Sequence, residues 1–246
     1  MRRFFFDPKT RRGDRVVLSK EESRHIKKVL RLQIGSGVEL LDGEGGLYSG
    51  EIVGMERLVE AVICGSLSEK EDSSGSIVVY QAILKGDKMD TVVQKCTELG
   101  VTSMVPFQSS RCQGKLDSVV GGKKHGRWQR IGLAACKQCM RPLPMDIVAP
   151  YLSFKEAICS DILSDKTVKI LFWEEENHVH LKDIKGIGIL DSIAVLLGPE
   201  GGLSSEEVEL AREYGWVSVS LGKRILRAET ATLTAVSIVQ YRAGRL

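Results

Sequence analysis

Two glycine-rich segments in the last third of the chain combine residue types that could bind a ligand and move a proton. The first reads GPEGG from Gly198 to Gly202 after the apolar run IAVLL, and the second reads LGKRILRAETA from Leu221 to Ala231 after VSVSL. Loops that follow buried strands form the usual ligand site of open α/β sheets, and glycine lets a ligand lie against bare backbone. Glu200 and Glu229 could accept a proton, and Arg227 could hold an anionic group. Both segments therefore predict a ligand pocket.

The same segments also have plain structural interpretations. GPEGG could be a strand-to-helix turn capped by Ser204 with Glu207, and the second segment could be a helix start where Glu229 faces the helix dipole. Neither segment matches a phosphate-binding template, because the chain has no G-x-x-x-x-G-K-[ST] and its GIGILD at 186–191 lacks the third glycine of the dinucleotide fingerprint. Nucleoside triphosphates and nicotinamide cofactors are therefore disfavoured.

Metal and nucleophilic chemistry receive little support from the sequence. Cys136 and Cys139 form C-x-x-C and His178 and His180 form H-x-H, but the pairs are far apart and Cys139 falls in a predicted amphipathic helix. We therefore interpret the cysteines as core residues and expect no metal. A hydrolase is not indicated either, because the chain lacks G-x-S-x-G.

Composition predicts the compartment. The 246 residues are 43% hydrophobic, and six cysteines in a chain of this length do not make a disulfide scaffold, which suggests a reducing environment. No apolar run approaches the roughly 18 to 20 residues that cross a bilayer. The N-terminus also becomes charged too early for a secretory signal. We expect a soluble cytoplasmic protein, or one of an organelle matrix if a targeting segment has been removed.

Charge is distributed unevenly along the chain. Residues 1–32 contain 11 basic and four acidic residues, whereas the remainder contains 24 basic and 28 acidic residues. Since lysine and arginine neutralise phosphates and release counterions, this asymmetry indicates that the N-terminal part meets a polyanion. The alternative is a solvated basic face without a partner.

Hydrophobic patterning predicts two domains. Residues 1–70 contain short strands with frequent turns, typical of a small β-barrel, and one short basic helix that begins with the pair Ser19 and Glu22. Residues 71–76 close a polar, serine-rich stretch and are interpreted as a linker. In residues 77–246 strands and helices alternate, which predicts a mostly parallel sheet covered by helices on both faces.

In combination these segments resemble a known family, the bacterial 16S ribosomal RNA methyltransferases that modify ring nitrogen 3 of a uridine, in the SPOUT superfamily. The resemblance covers nearly the whole chain and is carried by RHIKKVLRLQIGSGVELLDGEGGLYSGEI, KGDKMDTVVQKCTELGV, LLGPEGGLSSEEVELA and LGKRILRAETATLTA. One run departs from the family pattern, because Lys137-Gln138-Cys139-Met140-Arg141 stands where Glu-Gln-Ser-Gly-Arg is usual.

The resemblance implies a fold and a set of partners. The fold would be a PUA-like β-barrel followed by a SPOUT α/β domain whose C-terminal segment forms a trefoil knot. The protein would bind S-adenosylmethionine and ribosomal RNA of the 16S type, and would act as a homodimer whose partner subunit completes the site. No membrane and no metal would take part.

The resemblance also implies site residues by position. The residues expected to contact the cofactor are Phe172, Trp173, Glu174, Gly198, Glu200, Gly201, Gly202, Leu221, Gly222, Ile225, Leu226 and Arg227. Those expected to contact RNA are Arg3, Arg11, Arg12, Arg24, His25, Lys27 and Arg31.

Methylation of uracil nitrogen 3 requires loss of its weakly acidic imide proton and stabilisation of the charge that spreads onto the carbonyl oxygens. Arg227 would stabilise those oxygens, and Glu200 or Glu229 would take the proton or orient the reacting groups. Two alternatives stay open. A SPOUT enzyme could act on a ribose 2′-hydroxyl or a transfer RNA base, and an RNA-binding assembly factor could keep the pocket in a catalytically idle form.

Overall fold

The structure is a computed structural model that describes residues 2–67, 75–188 and 191–246. It contains two compact units, one formed by Met1–Asp72 with Cys136–Pro144 and the other by Ser73–Ala135 with Met145–Leu246. Of the predicted linker, residues 71–74 lie outside the described residues, as do residues 189 and 190 of the GIGILD run.

The first unit is a five-stranded sheet that curls until its edges meet. Its strands are β1 (Arg3–Phe5), β2 (Arg15–Val17), β3 (Gly37–Leu41), β4 (Leu47–Gly54) and β5 (Glu60–Ser66), in the order β1-β3-β4-β5-β2. An antiparallel bridge between Phe6 and Leu18 joins the two edge strands, and both side chains are buried with those of Phe4, Val16 and Leu40. The predicted small barrel is confirmed.

A short helix and a returning segment complete this unit. Helix α1 (Lys20–Arg24) begins where the Ser19 side chain accepts from the Glu22 backbone N–H at 3.1 Å, and it continues as π-helical turns over His25–Leu30. The buried Glu22 carboxylate forms an ion pair of 2.7 Å with Lys137, which lies in Cys136–Pro144. Because a buried carboxylate requires a cation, this pair explains why a segment so distant in sequence belongs to the first unit.

The second unit contains a six-stranded parallel sheet. Its strands are β6 (Ile77–Ala82), β7 (Ser103–Phe107), β8 (Asp146–Ile147), β9 (Val168–Phe172), β10 (Ile193–Leu197) and β11 (Val217–Val219), in the order β11-β9-β10-β6-β7-β8. All five pairings are parallel, and β6 and β10 are buried along their whole length. Strands buried on both faces need apolar residues at every position, which accounts for the unbroken runs in their sequences.

Helices cover both faces of this sheet, as predicted. They are α2 (Lys88–Glu98), α3 (Ser118–Gln138), α4 (Phe154–Ile158), α5 (Ser205–Glu213) and α6 (Ala228–Arg242). On one face Val79 of β6 belongs to the same apolar cluster as Val92 of α2 and Val236 of α6, whereas Tyr80 belongs to the opposite cluster with Val208 of α5. The alternating residues of one strand therefore serve two cores.

Two details of the second unit differ from the sequence-based predictions. Helix α3 begins at Ser118 and ends at Gln138, so Cys139 lies beyond the helix that was predicted to contain it. The two-residue strand β8 was not predicted, because it is too short to have a pattern.

The trefoil knot stays a prediction. Within the described ranges no helix has the length and apolar character needed to cross a bilayer.

Glu207 connects the start of α5 to the loop that follows β7. Its carboxylate accepts from the Ser204 backbone N–H at 3.0 Å in a capping box, from the Ser109 hydroxyl at 3.1 Å and from the Ser110 backbone N–H at 2.8 Å. Because the Glu207 side chain is buried, water cannot take its place as the acceptor for these three donors.

Replacing Glu207 with alanine should therefore destabilise the fold. We expect Glu207→Ala to lower the free energy of unfolding by about 2 to 3 kcal/mol, because it removes a helix cap and leaves buried donors unsatisfied. The matched control is Glu213→Ala, which changes an exposed glutamate of the same helix. Urea unfolding of both variants checks this, and equal midpoints would contradict it.

Candidate active site

A cavity of the second unit lies beyond the carboxyl ends of neighbouring strands. It has a volume of about 450 Å³ and is formed by the loops after β9, β10 and β11, the start of α6 and one side chain of α2. Its lining residues are Lys88, Phe172, Trp173, Glu174, Asn177, Leu197, Gly198, Pro199, Glu200, Gly202, Ser220, Leu221, Gly222, Lys223, Arg224, Ile225, Leu226, Arg227, Ala228 and Ala231. The two glycine-rich segments therefore meet at one site.

Gly202 has a backbone conformation that favours glycine. Its φ is +71°, and a Cβ atom built on it would lie 1.7 Å from Oε1 of Glu174, on the loop after β9. A hydrogen bond of 3.0 Å from the Gly202 N–H to the Pro199 carbonyl closes the turn. The Glu174 side chain thus lies against the bare backbone of Gly202, and two walls of the cavity meet there.

Gly201 differs from the other predicted cofactor contacts. It is exposed but lies outside the cavity lining, and a Cβ atom on it would stand 3.2 Å from Cβ of Arg111. The Arg111 guanidinium donates to the Gly201 carbonyl at 3.1 Å. The sequence predicts both adjacent glycines as cofactor contacts, but a turn points them in different directions, and Gly201 supports the loop from outside.

Glu200 folds the loop toward the beginning of α2. Its Oε1 accepts from the Lys85 backbone N–H at 3.1 Å and from the Lys88 ammonium at 3.0 Å. Burial alone would raise the pKa of Glu200, but the Lys88 hydrogen bond and backbone N–H groups hold that pKa below its ordinary value. Glu200 is therefore ionised at neutral pH.

Glu229 approaches the same lysine from the other side. It lies in the first turn of α6, and its Oε2 is 3.9 Å from the Lys88 ammonium. Glu229 itself is not among the lining residues, although Arg227 and Ala228 are. The predicted catalytic carboxylates Glu200 and Glu229 are thus brought together by Lys88, a residue that the sequence analysis missed.

Arg227 and its neighbours form the wall after β11. Arg227 is exposed and immediately precedes α6, and no side chain caps this helix start. Gly222 has φ +106°, a conformation that other residues rarely adopt, and the Ile225 side chain is 89% exposed. The predicted residues of this segment all line the cavity, with free apolar surface available to a ligand.

A buried carboxylate holds the wall after β9. Glu176 accepts from the Ser218 hydroxyl at 2.6 Å and from the backbone N–H groups of His178 and Val179 at 2.9 and 3.2 Å. These hydrogen bonds, together with the nearby Arg212 guanidinium, lower the pKa of Glu176 to about 2. Glu176 therefore fixes the loop that carries Trp173, Glu174 and Asn177 into the cavity.

The predicted RNA contacts all lie in the first unit and fall into two groups. Arg11, Arg12, Arg24, His25 and Arg31 have exposed side chains. Lys27 is partly buried and donates to the Glu56 carbonyl at 2.8 Å.

Arg3 is the clearest correction among these residues. Its side chain is 7% exposed, forms an ion pair of 2.6 Å with Glu39 and also donates to the Met140 carbonyl. Because its donors are used within the unit, Arg3 holds the structure together instead of presenting a charge to a phosphate.

No metal centre emerges from the cysteines and histidines. Cys136 is buried, and its thiol donates to the carbonyls of Arg141 and Leu143 at 3.3 and 3.4 Å. Over residues 2–67, 75–188 and 191–246, no group of three or more His, Cys, Asp or Glu side chains could hold a metal ion.

Comparison with known families gives the class of the protein. Residues 70–240 match the family model described as an RNA methyltransferase domain, and residues 18–64 match that of an RNA methyltransferase PUA domain. With the curled sheet, the parallel sheet and the cavity, these matches define an RNA methyltransferase of the SPOUT type that carries an N-terminal PUA domain.

Individual relatives narrow the class. The chain is 32% identical to the ribosomal RNA small subunit methyltransferase E of Aquifex aeolicus, over 95% of this chain and 97% of the relative. It is 31% identical to the protein of the same name from Bacillus subtilis, over 92% and 90% of the two chains. The chain therefore belongs to the ribosomal RNA small subunit methyltransferase E family.

Solved structures agree with this assignment. The family member from Neisseria gonorrhoeae, bound to S-adenosyl methionine, superposes with a TM-score of 0.86 at 33% identity and covers 98% of this chain and 97% of its own. A methyltransferase from Legionella pneumophila, in complex with the same cofactor, has a TM-score of 0.88 at 30% identity, over 97% and 96% of the two chains.

The low pKa of Glu176 predicts how stability depends on pH. A carboxylate with a lowered pKa in the folded state stabilises the fold above its unfolded pKa, and this stabilisation is lost as the pH falls from about 4.5 to about 2. We expect Glu176→Gln to remove about 1 to 2 kcal/mol of that pH-dependent stability, because an amide does not ionise and carries no charge for Arg212 and the three donors to stabilise.

Urea unfolding at pH 7, 5, 4 and 3 measures this effect. Glu175→Gln, which changes an exposed neighbour, is the matched control and should follow the unmodified protein. Parallel pH profiles for Glu176→Gln and the unmodified protein would refute the assignment.

Proposed function

We propose that this protein transfers a methyl group from S-adenosylmethionine to ring nitrogen 3 of a uridine in small-subunit (16S) ribosomal RNA. The observation that carries the proposal is the cavity itself. Three loops that the family resemblance assigns to the cofactor converge on it, and a charged cluster of Lys88, Glu200 and Glu229 stands at its edge.

The cavity fits a nucleoside cofactor. Its volume of about 450 Å³ lies in the range of small-molecule sites. Leu197, Leu221, Ile225 and Leu226 supply apolar contacts for a ring, and the backbone of Gly202 is bare where a side chain would fill the space. When bound there, S-adenosylmethionine supplies an electrophilic methyl group.

The chain's own residues would manage the proton and the charge. Arg227 lines the cavity with an exposed guanidinium, which suits the role of stabilising a carbonyl oxygen of the uracil ring as negative charge develops. Glu200 or Glu229 would accept the imide proton or orient the reacting groups. Glu200, whose pKa is held below its ordinary value, is ionised at neutral pH, as either purpose requires.

The exposed cations of the first unit would bind RNA phosphates. Arg11, Arg12, Arg24 and Arg31 are exposed, and His25 lies next to Arg24 on the basic helix. Phosphate contacts of this kind hold RNA without reading its sequence. Arg3 is omitted from this set because of its ion pair with Glu39.

A homodimer is part of the same proposal. Helix α6 exposes a surface formed by Leu233, Thr234, Ser237, Ile238 and Tyr241, and Tyr241 is 73% exposed. An apolar helix face of this kind is suited to burial against a second copy. The substrate, ribosomal RNA, would place the enzyme in the cytoplasm.

Product analysis tests the reaction. We expect the purified protein to convert one uridine of 16S RNA, in small subunits from cells that lack the enzyme, to N3-methyluridine, as measured by nucleoside mass spectrometry. Gly202→Ala should bind S-adenosylmethionine at least about tenfold more weakly by calorimetry, because alanine is strained at a φ of +71° and its Cβ atom would displace the Glu174 side chain that lines the cavity.

Three results would reject the proposal in different ways. A methylated ribose would move the reaction to a 2′-hydroxyl, and a product found only in transfer RNA would change the substrate. Absence of calorimetric heat with S-adenosylmethionine would favour an idle RNA-binding factor.

The RNA-binding surface predicts a change in salt dependence. Affinity for RNA falls as salt rises. Replacing both Arg12 and Arg24 with glutamine should make the negative slope of log affinity against log salt shallower by about 2, because two phosphate contacts are lost. The control carries Lys155→Gln and Lys166→Gln, which remove two exposed cations of the second unit. Filter binding over a salt series measures both slopes, and equal slopes would contradict the prediction.

A further inference from the structure

Lys88 occupies a position at the cavity that no part of the reaction above uses. It is the first residue of α2, and its ammonium group stands 3.0 Å from Oε1 of Glu200 and 3.9 Å from Oε2 of Glu229. The two carboxylates come from the loop after β10 and the first turn of α6, so three separate elements meet at one cation.

Lys88 is the member of this cluster that the cavity exposes most. Its side chain is 38% exposed, whereas those of Glu200 and Glu229 are 19% and 21% exposed. The Oε2 atoms of both glutamates are buried and have no hydrogen-bond partner among the described residues. Both carboxylates are therefore less exposed than the ammonium group, and their charges hold it at the edge of the cavity.

Hydrogen-bonding capacity remains on the ammonium group. A lysine has three N–H donors, and Lys88 uses one of them for Glu200. The 3.9 Å separation from Glu229 gives attraction but is too long for a hydrogen bond. At least one donor is free for an oxygen atom of a molecule bound in the cavity.

We propose that Lys88 is a further catalytic residue, which donates to one of the two carbonyl oxygens flanking nitrogen 3 of the target uracil. This inference rests on the proposed function. Loss of the imide proton spreads negative charge over two oxygens, and Arg227, proposed above for charge stabilisation, lines the same cavity. Lys88 and Arg227 would then each stabilise one of the two carbonyl oxygens.

The division of labour between the glutamates follows from their contacts. Glu200 already accepts two hydrogen bonds on Oε1 and has a lowered pKa, which makes it a weak base and a suitable holder of Lys88. Glu229, which Lys88 approaches without hydrogen-bonding, does not line the cavity and its Oε2 is buried, so it holds Lys88 by charge alone, and the imide proton leaves to solvent water as the N3–H bond breaks. The N3 electron pair then forms the bond to the methyl carbon, the carbon–sulfur bond breaks, and its electron pair stays on sulfur.

An experiment on Lys88→Met, Lys88→Arg and Lys85→Met tests this role. Lys85→Met is the matched control, because Lys85 contributes only its backbone N–H to Glu200 and its side chain is exposed. Three quantities are measured: calorimetric affinity for S-adenosylmethionine, the single-turnover methylation rate at saturating cofactor, and the dependence of that rate on pH from 6 to 9.

We expect Lys88→Met to react about 100-fold more slowly at pH 7, as found when one donor to a developing oxyanion is removed. Its rate should rise more steeply with pH than that of the unmodified protein, because alkali ionises the imide without help from the cation. Lys88→Arg should recover about tenfold of the loss, since the charge returns with a different shape. Cofactor affinity should stay within about threefold, a change of less than 1 kcal/mol.

Two results would overturn the inference. Weak cofactor binding by Lys88→Met with a normal rate at saturation would assign the lysine to the cofactor's carboxylate. A loss of rate with an unchanged pH slope would show that Lys88 only supports the fold. If Lys88→Met does not fold, Lys88→Gln replaces it, and the same criteria apply.

Failure of this inference can be distinguished from failure of the proposed function. If the unmodified protein makes a product other than N3-methyluridine, the proposed function fails whatever Lys88 does. If it makes N3-methyluridine and Lys88→Met reacts at the normal rate, the role of Lys88 alone is rejected.

Discussion

A single buried amide, Gln81, connects the elements whose ends form the cavity. It lies in the central part of the parallel sheet, fully buried in the otherwise apolar strand β6. Its Oε1 accepts from the Thr232 hydroxyl of α6 at 2.6 Å, and its Nε2 donates to the carbonyls of Ala82 and Gly198 at 2.9 and 3.4 Å. Burying an amide is costly unless its polar atoms are paired, so the loop after β10 and the start of α6 must keep their positions relative to this strand.

Charge organises the same site around Lys88. Glu200 can stand inside a glycine-rich turn because its side chain reaches out of the loop to the beginning of α2. Glycine lets the backbone turn sharply and approach Glu174, and the carboxylate supplies the attachment that a run of glycines cannot provide. In one short loop, the glycines thus allow the sharp turn and the neighbouring Glu200 attaches the loop to α2.

The sequence predicted features that depend on local patterns. The caps at Ser19 and Ser204 were identifiable because the partner residue stands three positions later, and buried strands were identifiable from their apolar runs. The glycine-rich loops were identifiable because strand ends and loop composition are adjacent in the chain. For the same reason most of the predicted cavity residues do line the cavity.

Features that depend on the order of strands could not be predicted in this way. Lys88 enters the site because β10 pairs with β6 in the sheet, a neighbour relation that sequence spacing does not contain. Arg3 was assigned to RNA because its charge is visible in the sequence, whereas its partner Glu39 lies on a neighbouring strand. Lys137, which departs from the family pattern, is likewise explained only by its ion pair with the buried Glu22.

The route of the chain limits how these parts can be exchanged between proteins. Because Cys136–Pro144 belongs to the same compact unit as the first 72 residues, the backbone crosses between units three times rather than once. A graft of residues 1–72 onto another methyltransferase would separate Glu22 from Lys137 and leave a carboxylate buried without its counter-ion. In evolution, therefore, the barrel and the segment Cys136–Pro144 should be inherited together. Recombination that exchanges only the residues before the predicted linker should be selected against.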